Sequence, residues 1–224
     1  MAILTAPVDS NAEMPLAVDT YSLGPVGTNC YVVRAERGAA ESVVVDPGWD
    51  AAQLRLELAR TGATCAAILL THTHFDHVGA VADLAEGTGA PVYVSPEAVG
   101  ALESPLTPPG ITVRGYTGAL PVSGGDSLEV GGISFEVLDV PGHAPGHLSY
   151  YADGCLFSGD VLFARGVGRV DLPGGDWDAL LDSIRTLAER YPPETIVYSG
   201  HGPATTLAAE LAGNPFLAEL RTAQ

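Results

Sequence analysis

Lysine is absent from this chain. All ten basic residues are arginine and stand against 27 aspartates and glutamates, a formal net charge of −17. A surface so acidic repels phosphate backbones and anionic headgroups, which sets nucleic acid and membrane aside as partners and leaves a small molecule. No apolar run approaches the roughly 18 residues that a membrane-spanning helix needs. Cysteine is scarce as well. Cys30, Cys65 and Cys155 are odd in number, far apart and set among apolar or small residues. They read as reduced thiols of a core, and not as a disulfide framework or a thiolate metal site. The first 33 residues hold no Lys or Arg, and Asp9 and Glu13 interrupt any leader-like apolar stretch. A cytoplasmic location is the expectation, with the oligomeric state left open.

What is present describes a globular protein: 46% hydrophobic and 17% charged residues over 224 positions, enough for a sizeable core. Residues 1–15 read as a ragged N-terminal arm and 16–224 as one domain. Strand-like runs cover 17–23, 29–34 and 42–46. Asp50 is placed to cap a helix through Arg60, with Leu54 and Leu58 on one face and Gly62 as its stop. A buried strand, Ala66 to Leu70, runs into a histidine cluster, then a helix over 78–86 and a short strand over 92–94. Residues 105–125, rich in Pro, Gly and Thr, read as loops. The second half repeats this logic, with strands over 127–130, 133–140, 148–151 and 155–157. Asp176 caps a helix to Arg190 whose Leu180, Ile184 and Leu187 share a stripe; a strand over 195–198 and a helix over 204–211 follow. Strands then helices, twice over, predict an α+β fold: two sheets face to face with helices outside, in four layers.

The cluster itself is Thr71-His72-Thr73-His74-Phe75-Asp76-His77, three imidazoles and a carboxylate within six residues. His143, Asp160 and His201 each stand at the end of an apolar run, as His72 does, so strands converging on one edge can gather all of them. Gly142, Gly159 and Gly200 precede three of these residues and let the backbone turn tightly there. His72 and His74, two apart in an extended segment, project to one side; Asp76 and His77, after a turn at Phe75, can face a neighbouring ion. Five of six histidines in such positions, with matching carboxylates, point to two divalent metal ions. Imidazole and carboxylate without thiolate suit zinc, iron or manganese; zinc is the first choice.

The signature resembles the HxHxDH motif of the metallo-β-lactamase-fold hydrolases. Pro-Gly-His-Ala-Pro-Gly-His, Phe-Ser-Gly-Asp and Ser-Gly-His-Gly match that family's later motifs in order. Gly168-Arg169-Val170-Asp171-Leu172-Pro173-Gly174-Gly175, Gly202-Pro203-Ala204-Thr205-Thr206 and Asn214-Pro215-Phe216-Leu217 are similar to the short type II glyoxalase (hydroxyacylglutathione hydrolase-like) branch. The resemblance spans residues 17 to 217. It implies an αββα sandwich in which His72, His74 and His143 bind one metal, Asp76, His77 and His201 the second, and Asp160 bridges both, with Asp76 and Asp160 central to catalysis. Asp160 with His77 departs from class B β-lactamases, which commonly use Cys for one metal, and disfavours antibiotic hydrolysis. The activity implied is hydrolysis of thioesters such as S-2-hydroxyacyl thiol conjugates. Alternatives are a persulfide dioxygenase with one iron on His72, His143 and Asp160, and another metallohydrolase such as a lactonase. Without lysine and at −17, S-lactoylglutathione is expected to saturate the site weakly.

Four further residues sit near these motifs. Asp46, ending Val43-Val44-Val45, could orient a liganding imidazole. His147 has no ligand slot and reads as a support behind the ligands or at a strand start. Arg169 is expected to pair with Asp171. Arg165 or Arg169 binding an anionic substrate is the sharper reading. Tyr116, Tyr150 and Tyr198 read as packing residues.

Overall fold

The computed structural model describes residues 16–218 and 220, so the arm expected over 1–15 lies outside the described residues. β1 (Ala17–Leu23), β2 (Thr28–Arg34) and β3 (Glu41–Val45) run antiparallel. After α1 (Ala51–Thr61) the sheet continues in parallel through β4 (Thr64–Leu69), β5 (Val92–Val94) and β6 (Leu120–Pro121). Between these strands lie α2 (Phe75–Val78), α3 (Val81–Thr88) and α4 (Val99–Glu103).

In the second sheet, β7 (Ser127–Val130), β8 (Ile133–Asp139), β9 (Leu148–Ala152) and β10 (Cys155–Gly159) form an antiparallel meander. A small hairpin, β11 (Leu162–Phe163) and β12 (Gly166–Val167), and α5 (Trp177–Arg190) precede β13 (Ile196–Ser199), which lies parallel to β10. β14 (Thr205–Thr206) closes that edge and leads into α6 (Leu207–Gly213).

The two-residue period of a strand decides the layers. On β2, Cys30 and Val32 face the core under α1 and α3, while Tyr31 and Val33 face the second sheet. On β10, Phe157 meets that inter-sheet core and Leu156 faces α5 with Leu180, Ile184 and Leu187. Four layers follow, αββα, as expected. The caps also form as read: Asp50 accepts from the Gln53 N–H at 3.0 Å and Asp176 from the Ala179 N–H at 2.9 Å, and Gly62 adopts φ 72° at the end of α1.

Three elements differ from expectation, the first being β6, which pairs with β5 inside the 105–125 stretch read as loops. The helix expected over 78–86 is two helices, because Gly79 packs against the Gly48 carbonyl and Trp49 where no Cβ fits, and the Ala80 N–H donates to Pro47 O. The last helix begins at Leu207 and not at 204, because Thr205 and Thr206 pair with β13 first. Among the described residues no helix is long and apolar enough to cross a membrane.

Strand direction places the site. β3 and β4 are parallel, so Asp46 and His72 leave the first sheet at one edge. β8 and β10 share a direction through the meander, and β13 is parallel to β10, so His143, Asp160 and His201 leave the second sheet together.

Candidate metal centre

All seven predicted ligands arrive on loops beyond strand ends or on the turn of α2. Asp76 and His77 are presented by that helical turn, where a simple turn at Phe75 was expected. His72 Nε2, His74 Nδ1 and His143 Nε2 converge, the first and third lying 3.0 and 2.9 Å from the second. Beside them, His77 Nε2 stands 3.6 Å and His201 Nε2 3.3 Å from Asp76 Oδ2. Asp160 lies between the trios: its Oδ1 is 3.4 Å from His77 Nε2, and its Oδ2 is 3.5 Å from His143 Nε2 and 3.6 Å from His201 Nε2. His72–His74–His143, His72–His77–Asp160 and Asp76–His77–His201 each present donor atoms close enough to hold an ion.

The donors' partners fix their tautomers. The Thr71 hydroxyl donates its one proton to Asp46 Oδ2 at 2.7 Å, so its 3.0 Å contact with His72 Nδ1 requires that nitrogen to donate. His77 Nδ1–H donates to Asp46 Oδ2 at 2.9 Å, and His143 Nδ1–H to the Arg169 carbonyl at 2.8 Å. In all three rings Nε2 is left pointing into the cluster, the arrangement metal-binding imidazoles use. Asp46, buried at φ 49°, also accepts the Thr71 N–H at 2.8 Å, so one carboxylate orients a ring in each trio.

The donor set fits metal ions on a further observation. His77 Nε2 and Asp160 Oδ1 are buried and have no hydrogen-bond partner, although every other polar atom of those side chains is engaged within the cluster. A cation between them would satisfy both. Gly200 allows the approach, because a Cβ there would overlap Asp160 Oδ1 and crowd the His77 ring.

Electrostatics divides the cluster. Burial, aided by the His77 and His147 rings, holds His72 well below the usual histidine range; burial and His143 bring His74 to about 4, and burial lowers His143. These three rings are neutral at pH 7, with lone pairs free. His201 is raised to about 9, first by Asp160 and then by Asp76. Burial opposes charge on His77, but Asp160 and Asp46 outweigh it and raise the ring well above its usual range. Burial likewise works against ionised Asp76, yet His201, His77 and Thr28 bring it down to about 2. Carboxylates that hold protons on neighbouring rings would hold a cation in the same place, releasing those protons.

His147 supports the cluster from behind: its Nε2 accepts the Asp160 N–H at 3.2 Å, and its ring stacks on His72 with centroids 4.7 Å apart. Arg169 pairs with Asp171 as expected, at 2.6 and 2.7 Å, and lines the cavity above the cluster. Arg165 is a correction. The β11–β12 hairpin carries it out of the cavity's lining, at φ 62°, with its N–H donating to buried Glu210 at 2.7 Å. Tyr150 is a packing residue, its hydroxyl donating to Leu70 O at 2.9 Å.

Three supports went unread in the sequence. Thr28 donates to Asp76 Oδ2 at 2.7 Å. Asn29 donates its side-chain amide to Ser199 O and Gly202 O at 3.0 and 2.8 Å and its N–H to Gly200 O at 2.7 Å, and Tyr31 Oη reaches Ser199 O at 2.6 Å. The available signal was a Thr-Asn pair heading a strand that is apolar from Cys30 to Val33.

The cavity above the histidine–carboxylate cluster measures about 500 Å³ and opens onto His74, Asp76, His143, Asp160 and His201. Residues 23–201 match the metallo-beta-lactamase superfamily model. The hydroxyacylglutathione hydrolase GloC of Haemophilus influenzae is 35% identical over 84% of this chain and 92% of its own. The structure of BLEG-1 B3 metallo-beta-lactamase superposes with a TM-score of 0.85 at 41% identity, over 90% of this chain and all of that one. TTHA1623 in a di-iron-bound form gives 0.75 at 41%, over 89% of this chain and all of that one.

Proposed function

This chain belongs to the metallo-beta-lactamase superfamily, and from that premise we propose that it is a binuclear metal-dependent hydrolase of thioesters, S-2-hydroxyacyl thiol conjugates among them. The observation that carries the reading is Asp160, whose carboxylate faces imidazoles of both trios, Oδ2 alone lying near His143 of one and His201 of the other. His72, His74 and His143 would hold one ion, Asp76, His77 and His201 the other, and Asp160 both. When bound, such a pair of ions supplies Lewis acidity, bringing a water proton's pKa from ~16 towards ~7 and offsetting charge on a carbonyl oxygen. Zinc is the first choice; the di-iron relative keeps iron in play, and manganese suits the same donors.

The residues' own work is orientation. Asp46 and Thr71 hold His72 and His77 with Nε2 inward, Arg169 O does so for His143, and Thr28 steadies Asp76. The donor atoms are committed to the cluster, which leaves few groups to protonate a leaving group. A thiolate, whose conjugate acid has a pKa of ~8.5, needs no such help. The hydroxyacylglutathione hydrolase relative supports thioesters. A second reading, opening of a β-lactam, is favoured by the likeness to BLEG-1, so the absence of a liganding cysteine does not by itself set lactams aside. The complete second trio weighs against a one-iron persulfide dioxygenase. The partner is a small molecule, neither nucleic acid nor membrane, and the three free cysteines suit a cytoplasmic location.

Metal analysis combined with assays on a thioester, a β-lactam and a persulfide tests the reading. About two ions per chain with thioester turnover is the expected result. One iron per chain with oxygen uptake on the persulfide, or turnover of the lactam alone, would overturn it.

A further inference from the structure

The cavity's rim is apolar and built from four separate stretches of chain. Val26 comes from the β1–β2 turn, Phe75 from the start of α2, Leu106 and Pro108 from the loop after α4, and Leu172 and Pro173 from the loop beyond β12. Val26 and Leu106 keep 53% and 86% of their surface open to solvent, unusual for large aliphatic side chains standing together over one cavity. Exposed apolar groups converging from distant segments mark a surface that something apolar covers.

Charge argues in the same direction. Arg169 is the one arginine lining the cavity among the described residues, and Asp171 already engages the Nε–Nη2 edge of its guanidinium. The chain has no lysine and carries −17, so carboxylates on a substrate meet little counter-charge at the rim beyond this paired arginine. A volume of about 500 Å³ falls within the range of small-molecule sites, which are lined mainly by apolar side chains with a few polar groups at the reacting end.

We propose that this cavity is an aliphatic-chain site: the thioesters it takes carry an uncharged, medium-length alkyl chain beside the scissile bond. The inference rests on the hydrolase reading above and adds the substrate class. In the reaction water forms a new C–O bond at the acyl carbon, the C–S bond breaks, and a carboxylate, a thiol and a proton leave.

The test uses metal-loaded protein and acetyl, butanoyl, hexanoyl and octanoyl thioesters of N-acetylcysteamine, a small neutral thiol. A second series, acetyl thioesters of alkanethiols of the same lengths, distinguishes an acyl chain from a thiol chain, and S-lactoylglutathione serves as the anionic reference. In one of the two series kcat/KM should rise about threefold per added methylene, short of the roughly fourfold that full burial would give. That rise should flatten in Leu106→Asp, at an exposed position, and in Leu172→Asp, at a half-buried one. Non-hydrolysable S-octyl and S-methyl thioethers, titrated calorimetrically, give a readout independent of turnover, with the octyl compound binding at least tenfold more tightly. Equal kcat/KM along both series with equal thioether binding overturns the chain site while leaving the thioesterase reading intact. Chain-dependent thioether binding without turnover of any thioester does the reverse. Low-micromolar saturation by S-lactoylglutathione, with no gain from chain length, would show a dedicated anionic pocket and overturn the inference as well.

Discussion

The floor of the cavity and its rim are held by opposite means. On the floor almost every donor has a second partner: Thr71 behind His72, Asp46 behind His77, Arg169 O behind His143, Thr28 behind Asp76 and His147 behind the Asp160 backbone. At the rim Val26, Leu106 and Leu172 project into the cavity mouth from loops, where only shape and apolarity are asked of them. The floor is over-determined and tolerates little. The rim can change what is selected without disturbing what reacts.

This contrast can be broken at several depths. Asp160→Ala should have the largest effect, abolishing turnover and lowering metal from about two ions per chain to below one. Metal analysis that still finds two ions, with near-native turnover, would show that the carboxylate does not bridge. Gly200→Ala comes next, since its Cβ would displace Asp160 Oδ1 and the His77 ring. Most of the activity and about one ion should go, and unchanged metal content would mean that the loop yields freely. Asp46→Ala frees a ring in each trio, and metal affinity measured by chelator competition should fall about 10- to 100-fold. His147→Ala should keep both ions and lose rate by no more than about tenfold, because its contact is to a backbone N–H; an ion lost there would extend the ligand set. The smallest effect belongs to the rim. Asp171→Asn releases Arg169, and KM for S-lactoylglutathione should fall about two- to threefold at low ionic strength. About 0.5 M salt should erase that gain, as expected for an exposed charge.

Legibility in the sequence followed the same division. Helices α1 and α5 could be read end to end because their caps and stripes are local, Asp50 to Gly62 and Asp176 to Arg190. The seven clustered side chains were readable because chemistry needs particular residue types at strand ends. What escaped depends on partners far away. The split between α2 and α3 arises from Gly48 and Trp49, some thirty residues earlier. Asn29 owes its role to carbonyls 170 and 173 residues on. Arg165 was misplaced because nearness to Asp160 in sequence says nothing of the hairpin that turns it away. The rim was not readable at all, since no local pattern marks Val26 or Leu106 as neighbours of His201.

The clasp of Asn29 and Tyr31 on the Ser199–Gly202 backbone also sets an order of assembly. A chain emerging from its N-terminus makes the histidine cluster early, has all three imidazoles of one trio at residue 143, and completes the other only at His201. Until the last strand arrives, Thr28 and Asn29 head a strand whose partners for that clasp do not yet exist. Contacts closing so long a loop are slow to form. The second trio is therefore completed only by the final third of the chain, and a growing polypeptide carries it unfinished until synthesis has passed residue 201.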